Sequence, residues 1–169
     1  MTILLGLDLS TTNIGFAIVE RDKLATPLYT GETKLSGKNW NDRLESLERK
    51  LSGYVLGIPG PHPDIAGIEW PLLGSHYNGD SLIKQGIFLG AAVNVLTAEG
   101  ILCRHFPNPT SVKVALAGEY RATKEDMQGV ANLVVGREVG EHEADALGVV
   151  YALAAMLNEE DWNETGKDN

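Results

Sequence analysis

The hydrophobic and polar positions along the chain form segments typical of an α/β domain. A continuous apolar run, "TILLGLDL" (2–9), predicts a strand buried on both faces, and "IGFAIVE" (14–20) predicts an antiparallel partner. "LATPLYTGETKL" (24–35) predicts a third strand with an edge-type Pro27. The remaining predicted segments are, in chain order, a helix (39–55), a strand (64–70), a helix (80–100), a strand (101–108) and three helices (110–118, 124–136 and 141–157).

The order of these segments predicts the architecture. A β-meander followed by strand–helix–strand crossovers implies an α/β fold, with a central mixed five-stranded sheet flanked by helices. The 169 residues suit one domain. We expect a single domain over residues 1–157 and an acidic, flexible tail over residues 158–169.

Composition narrows the classes of function. A single cysteine, Cys103, excludes an internal disulfide and a cysteine-based zinc site. No stretch is typical of a signal peptide or a membrane span, so we expect a cytoplasmic protein with no membrane partner. The net charge of −9 argues against nucleic-acid binding, but the count leaves out any cation that carboxylates bind.

Three carboxylates occupy improbable positions. Asp8 and Glu69 each end a predicted strand, and Asp145 lies in an otherwise apolar helix with no basic residue to pair with it. A buried carboxylate must be paired or must bind a metal. If the two strands are neighbours and the helix packs on their sheet, the three groups meet, and such oxygen ligands suit Mg²⁺ or Mn²⁺. His142 and Glu141 precede Asp145 by three and four residues, so helical geometry allows either to join.

Four segments of the chain resemble one family. "ILLGLDLSTTNIGFAIVE", "AGIEWPLL", "SVKVALAGEYRATKEDMQGVANLVVG" and "EHEADALGVVYALA" are similar, in this order, to the RuvC-type Holliday junction resolvases of the RNase H-like superfamily. The resemblance runs from about Thr2 to Leu157. It implies an RNase H-like fold and a homodimer that binds branched DNA, especially four-way junctions, and cuts it symmetrically with two Mg²⁺ ions per site.

The resemblance also assigns residues. It implies that the metal ligands are Asp8, Glu69, Asp145 and, at the family's fourth position, His142 in preference to Glu141. It implies further that Lys124 assists the chemistry. The side chains expected to contact DNA are Lys84, Lys113, Arg121, Lys124, Trp70, Leu72 and Tyr77.

One departure bears on selectivity. Leu72 stands where related members carry a phenylalanine that stacks on bases at the junction centre, and Trp70 or Tyr77 are candidates to replace it. A nuclease with a broader range, acting on forks, flaps or hybrids, is therefore the main alternative. "GLDLSTTNIG" also resembles the first phosphate loop of actin-like and sugar kinases, although those proteins need two such domains and this chain has room for one.

The helix over residues 80–100 carries a candidate dimer interface. Small residues at helical spacing allow two helices to approach closely, and the family uses the matching helix for its dimer. The interface residues we expect are Leu82, Ile83, Gly86, Ile87 and Gly90. The alternative is that this face packs against the sheet of its own chain.

Overall fold

The strands and helices follow the order that the sequence predicts. The computed structural model describes residues 1–70 and 79–165, apart from the side chains of Tyr54, Trp162, Glu164 and Thr165. The strands are β1 (Ile3–Leu9), β2 (Asn13–Glu20), β3 (Tyr29–Lys34), β4 (Ile65–Ile68) and β5 (Leu102–His105). The helices are α1 (Trp40–Lys50), α2 (Gly79–Ala98), α3 (Pro109–Ala117), α4 (Lys124–Val135) and α5 (Glu141–Thr165).

The five strands form one mixed sheet, as predicted. Their order is β3-β2-β1-β4-β5, with β2 antiparallel to both its neighbours and the β1–β4 and β4–β5 pairs parallel. The carboxyl ends of β1, β3, β4 and β5 therefore lie at one edge of the sheet. We call this the upper edge, defined by Leu9, Lys34, Ile68 and His105.

Two apolar layers cover the faces of the sheet. On one face Leu4, Ala17 and Val19 pack with residues of α3, α4 and α5, and on the other Leu5, Leu7 and Phe16 pack with α1 and α2. Alternation along β1 thus sends Leu5 and Leu7 to the α1/α2 face and Gly6 and Asp8 to the α5 face. Helix α5 is the central helix of its layer.

Two glycines let α5 lie directly on the strands. A Cβ atom at Gly6 would overlap the carbonyl of Ala146 and the side chain of Val150, and one at Gly15 would overlap the carbonyl of His142. Gly15 pairs with Asp8 across the β1–β2 ladder. The first turn of α5 is therefore seated beside Asp8 because β2 offers no side chain there.

Two of the predicted segments differ from the structure. The third strand begins only at Tyr29, because residues 21–23 form a 3₁₀ turn and Pro27 lacks the N–H that a ladder needs. The first helix gives way at Lys50 to a π-helical turn, Leu51–Val55.

The last helix extends past residue 157, where the sequence predicts its end. Helix α5 continues to Thr165, and the guanidinium of Arg21 donates to Asn158 and Asp161 at 2.6 Å each. The boundary predicted from the acidic composition is thus not the end of the helix. Residues 166–169 lie outside the described part.

The sequence predicts no membrane-spanning segment, but helix α2 is long and apolar enough to cross a membrane. Within the described residues it has the required length and composition, with a mean hydropathy of 1.3 and only 17% of the span buried. One such helix is weak evidence for a membrane protein, because the core helix of a soluble protein meets the same criterion of length and composition. Its exposed apolar face bears on oligomerisation below.

Candidate active site at the upper edge of the sheet

Asp8 and Glu69 lie on adjacent strands at the upper edge. Leu7 pairs with Ile68, and the backbone N–H of Glu69 donates to the carbonyl of Leu7 at 3.1 Å. The β4 pairing thus extends one residue past the strand and places Glu69 beside Asp8. Both side chains alternate with residues of the α1/α2 layer, so both face α5. The predicted meeting of strand-end carboxylates follows from this parallel pairing.

Asp145 joins this pair from the first turns of α5. Asp145 is half-buried, and among the described residues it forms no hydrogen bond or ion pair. Burial, together with the charges of Asp8 and Glu141, raises the pKa of Asp145 to about 6, against the opposing influence of His142 and Lys124. Asp145 therefore lies in the field of the strand-end carboxylates.

Glu69 is the most strongly perturbed acid of the site. Burial raises its pKa to about 8, and the charges of Asp8 and Asp145 add to the rise while Lys113 opposes it. Burial beside other negative charges makes the ionised forms of Glu69 and Asp145 costly without a cation. Perturbation of this kind, in groups brought together from separate elements, is typical of functional sites.

His142, and not Glu141, contacts the carboxylates. Its Nδ1 donates to Asp8 Oδ2 at 2.6 Å, and this hydrogen bond raises the pKa of His142 although burial opposes the rise. Glu141 instead pairs with the ammonium of Lys124. Of the two candidates that helical spacing allows, only the histidine hydrogen-bonds to one of the three carboxylates in this structure, and Nε2 of its ring is left for another contact.

The donor set fits a hard divalent cation by its chemistry. Three carboxylates and an imidazole are ligands that Mg²⁺ or Mn²⁺ accept, and one oxygen of Asp8 is already oriented by His142. Across residues 1–70 and 79–165, no three His, Cys, Asp or Glu side chains stand close enough to hold a metal ion as they are. The ligand assignment therefore remains a prediction, which requires the side chains to draw together around a cation.

Two predicted basic residues lie near the site. Lys113 is close enough for its charge to lower the pKa of Glu69, and the charges of Asp8 and Asp145 raise that of Lys124, whose main partner is Glu141. Arg121 instead lies over the ring of Tyr120, 5.2 Å from its centroid. Lys84 pairs with Asp80 on α2 at 2.5 Å.

Trp70 presents an aromatic surface next to Glu69. It is 47% exposed, its ring meets Phe106 edge-on with centroids 5.6 Å apart, and its backbone N–H donates to the carbonyl of Pro107. Trp70 thus packs against Phe106 and is still about half exposed to solvent, whereas a core tryptophan would be buried. Leu72 and Tyr77 lie outside the described residues.

The turn between β1 and β2, which follows Asp8, is closed by the side chain of Ser10. Ser10 Oγ accepts from the backbone N–H groups of Thr12 and Asn13, at 3.2 and 2.9 Å, so the hydroxyl closes the turn. Gly15 lies inside β2 and seats α5. The hydroxyl-rich loop is occupied with its own backbone, which removes the main feature of the phosphate-loop alternative.

Glu32 is a neighbour of the site that sequence reasoning did not identify. It pairs with Gly15 across β2–β3, its carboxylate lies against Gly140 at the start of α5, and its charge raises the pKa of His142. No local pattern marks it, because its position depends on the register of three strands.

Comparison with known proteins identifies the family. No protein-family model matches the chain. The chain is 30% identical to the crossover junction endodeoxyribonuclease RuvC of Chromohalobacter salexigens, over 86% of this chain and 75% of that protein. It is also 30% identical to RuvC of Chloroflexus aggregans, over 89% of this chain and 91% of that protein.

Solved structures agree at the level of fold. Thermus thermophilus RuvC in complex with Holliday junction substrate superposes with a TM-score of 0.77 at 21% identity, covering 95% of this chain and 97% of that one. The yeast mitochondrial Holliday junction resolvase Ydc2 superposes with a TM-score of 0.55 at 13% identity, over 92% and 80%. The predicted RNase H-like α/β fold is thus confirmed, and the chain belongs to the RuvC family of crossover junction endodeoxyribonucleases.

Proposed function

We propose that this protein is a metal-dependent DNA endonuclease that resolves four-way junctions by paired, symmetric nicks. Two observations support the proposal: membership of a family whose relatives carry that activity in their names, and the raised pKa values of Glu69 and Asp145, to which the charge of Asp8 contributes. The second carries most weight for this chain, because it links carboxylates from β1, from the residue after β4 and from α5 at one edge of the sheet. We propose that the protein acts in the cytoplasm of a bacterium, or of a phage-infected host.

The residues have distinct roles in the proposed reaction. Asp8, Glu69, Asp145 and His142 would hold two Mg²⁺ ions, for which Mn²⁺ would substitute. Such ions, when bound, lower the pKa of an attacking water and stabilise the leaving 3′-oxygen. Because Nδ1 of His142 donates to Asp8, its Nε2 would serve one of two roles: it would ligate an ion, or it would orient the water or accept its proton. Lys124 exchanges Glu141 for the DNA and offsets charge on the phosphoryl group.

The aromatic and basic residues around the site are the proposed DNA contacts. Lys113 and Lys124 lie in the field of the carboxylates, where a scissile phosphate would lie, and Arg121 is exposed nearby in sequence. The half-exposed ring of Trp70 is suited to stacking on an unpaired base. Trp70→Ala should weaken junction binding by about tenfold without changing binding of linear duplex.

The decisive experiment is cleavage of a labelled synthetic four-way junction in Mg²⁺, beside linear duplex, flap, fork and RNA–DNA hybrid substrates. Paired nicks that leave 5′-phosphates, absent in Asp145→Asn, would support the resolvase. Equal cutting of forks and flaps would support the broader nuclease, for which Leu72 at the aromatic position is the specific reason. Absence of cutting on every substrate would contradict both.

The protein is proposed to act as a homodimer through α2. Ile83 and Ile87 are 64% and 38% exposed, and a Cβ at Gly86 or Gly90 would meet no atom within 4 Å. Leu82, one step round the helix, is half-buried. The exposed four lie opposite the core-facing Phe88, Ala92 and Leu96, so the face does not pack on its own sheet.

Sedimentation tests the dimer directly. Ile87→Lys should convert a dimer to a monomer, because it buries a charge in the interface, whereas Leu133→Lys on α4, 84% exposed, should not. A wild-type mass of one chain at all concentrations would contradict the proposed interface.

A further inference from the structure

A second polar cleft lies beside the active site on the α1/α2 side. Its volume is about 500 Å³, within the range of ligand sites, and it lies between the Ser10–Thr12 turn and the starts of α1 and α2. The lining side chains that matter here are those of Thr11, Trp40, Arg43, Asp80 and Lys84. None of them belongs to the carboxylate site.

The cleft is adjacent to the reacting phosphate in the proposed function. Thr11 follows Asp8 by three residues, so their Cα atoms are at most about 11 Å apart. Successive bases along a DNA strand rise by about 3.4 Å. The cleft therefore begins within about three nucleotides of the position that Asp8 would hold.

Arg43 is oriented for an anion. Its Nε donates to the carbonyl of Asn39 at 3.3 Å, which fixes the guanidinium against the start of α1. Among the described residues no carboxylate pairs with Arg43, and the adjacent Asp42 accepts from the backbone of Lys38 instead. The two terminal nitrogens are left for a planar, two-point contact of the kind that phosphate oxygens make.

Lys84 and Trp40 complete the cleft. Lys84 pairs with Asp80 one turn earlier on α2, a surface pair that a phosphate can displace at small cost. It lies about 100° round the helix from Ile83 and about 60° from Ile87, on the flank of the proposed dimer face. Trp40 is half-buried against the α1/α2 layer and gives the cleft an apolar wall.

We propose that this cleft binds the backbone of a DNA strand that leaves the active site, with a phosphate held by Arg43 and Lys84 and the adjoining sugar or base against Trp40. The proposal rests on the proposed function. It also adds a local cationic contact for DNA in a chain of net charge −9, because Arg43 forms no ion pair among the described residues and Lys84 has only a surface pair with Asp80.

Junction binding without divalent metal tests the cleft apart from the chemistry. Fluorescence anisotropy of a labelled four-way junction in EDTA, at several KCl concentrations, should show about tenfold weaker binding for Arg43→Ala and about fivefold for Lys84→Ala. Each should lower the salt slope by about 1, as expected for one lost phosphate contact. In Mg²⁺, each of these variants should raise KM for the junction about as much as it weakens binding, because the lost contact lies in the bound strand and not at the reacting atoms.

Arg49→Ala is the matched control, since Arg49 is an exposed arginine at the opposite end of the same helix. It should change affinity by less than about twofold. Arg43→Gln keeps the length of the side chain and should reproduce the loss if Arg43→Ala unfolds in a thermal melt.

Three outcomes are distinguishable. Weaker binding and a lower slope in the Arg43 and Lys84 variants alone would support the cleft. If the wild type binds and cleaves the junction and Arg43→Gln, Lys84→Ala and Arg49→Ala all bind it equally well, the proposed cleft is wrong and the proposed nuclease function is unaffected. Failure of the wild type to bind the junction would overturn the nuclease, and the cleft with it.

Discussion

Two carboxylates on the first turns of α5 are both withdrawn from solvent, and they are treated in opposite ways. Glu143 is 4% exposed and receives two contacts from Arg137, at 2.5 and 3.2 Å. Asp145, two residues on, has no such partner within the described chain, and its pKa is raised to about 6. The charge of Glu143 is thus balanced by an arginine and stabilises the fold. Asp145 lies among other acids without such a partner, which is the arrangement expected of a carboxylate that binds a cation.

The ion pair between Arg137 and Glu143 connects helix α5 to the sheet. Besides Glu143, Arg137 donates to the carbonyl and hydroxyl of Thr30 on β3, at 3.2 and 3.1 Å. The pair therefore ties the start of α5 to the sheet. This contact also helps to position Asp145, because Asp145 lies on the same turn of α5 as Glu143.

The largest effect expected is on cleavage. Asp145→Asn should lower the rate of junction cleavage by more than about a thousandfold while junction binding persists, because it removes a charged ligand from the proposed metal site. Glu143→Gln is the matched control, and its rate per folded molecule should stay within about threefold. Equal losses in the two variants would abolish the distinction between the two carboxylates.

Stability should show the reverse order. Glu143→Gln should lower the free energy of unfolding by about 1–2 kcal/mol, since the buried Glu143 side chain loses its charge-assisted hydrogen bonds with the half-exposed Arg137. Asp145→Asn should not lower it. Urea denaturation of metal-free protein measures both, and a Glu143→Gln protein as stable as wild type would show that the ion pair contributes nothing.

A third effect concerns the seat of α5. Gly15→Ala should lower the free energy of unfolding by about 2 kcal/mol and reduce cleavage, because the new methyl group displaces the His142 backbone. Gly129→Ala on α4, where a Cβ meets no atom within 4 Å, should instead stabilise by about 0.5–1 kcal/mol. The comparison measures how closely Asp145 and His142 depend on contact with β2.

The smallest effect is a dependence of stability on pH. The pKa values of Glu69 and Asp145 in the folded protein, about 8 and about 6, lie above those of ordinary carboxyls. Between about pH 4 and 8 the folded state therefore binds more protons than the unfolded state, and the stability of metal-free protein should fall as pH rises. His142, whose pKa is also raised, adds to the fall in the same direction.

Thermal melts across that range measure the effect. Glu69→Gln should raise the Tm of metal-free protein at pH 8 by about 2–4 °C and flatten its fall with pH. Mg²⁺ should raise the Tm of the wild type at pH 8 and leave that of Glu69→Gln little changed. A wild-type Tm that climbs from pH 5 to 8 without metal would be inconsistent with the raised pKa values.

The sequence predicted most of the fold, because its signals are local. A continuous apolar run predicted β1, and the predicted helices over residues 39–55 and 124–136 contain α1 and α4, whose starts are capped by the side chains of Asn39 and Thr123. The failures are also local in origin. Pro27 shortened a strand, and the acidic composition of residues 158–165 hid a helix that Arg21 supports from the first half of the chain.

The sequence by itself determined which carboxylates are the candidates for a functional role. Asp8 and Glu69 at strand ends and Asp145 inside an apolar helix occupy positions where an unpaired charge is costly, so they can be named without coordinates. The tertiary structure decided where these groups lie relative to one another. The parallel register of β1 and β4 places Glu69 beside Asp8, the bare backbone at Gly15 brings His142 to Asp8, and Glu32 and Arg43 gain significance only through contacts between elements distant in the chain. The local sequence pattern shows which charged side chains are costly to bury, whereas the packing of strands and helices determines which of them lie close together.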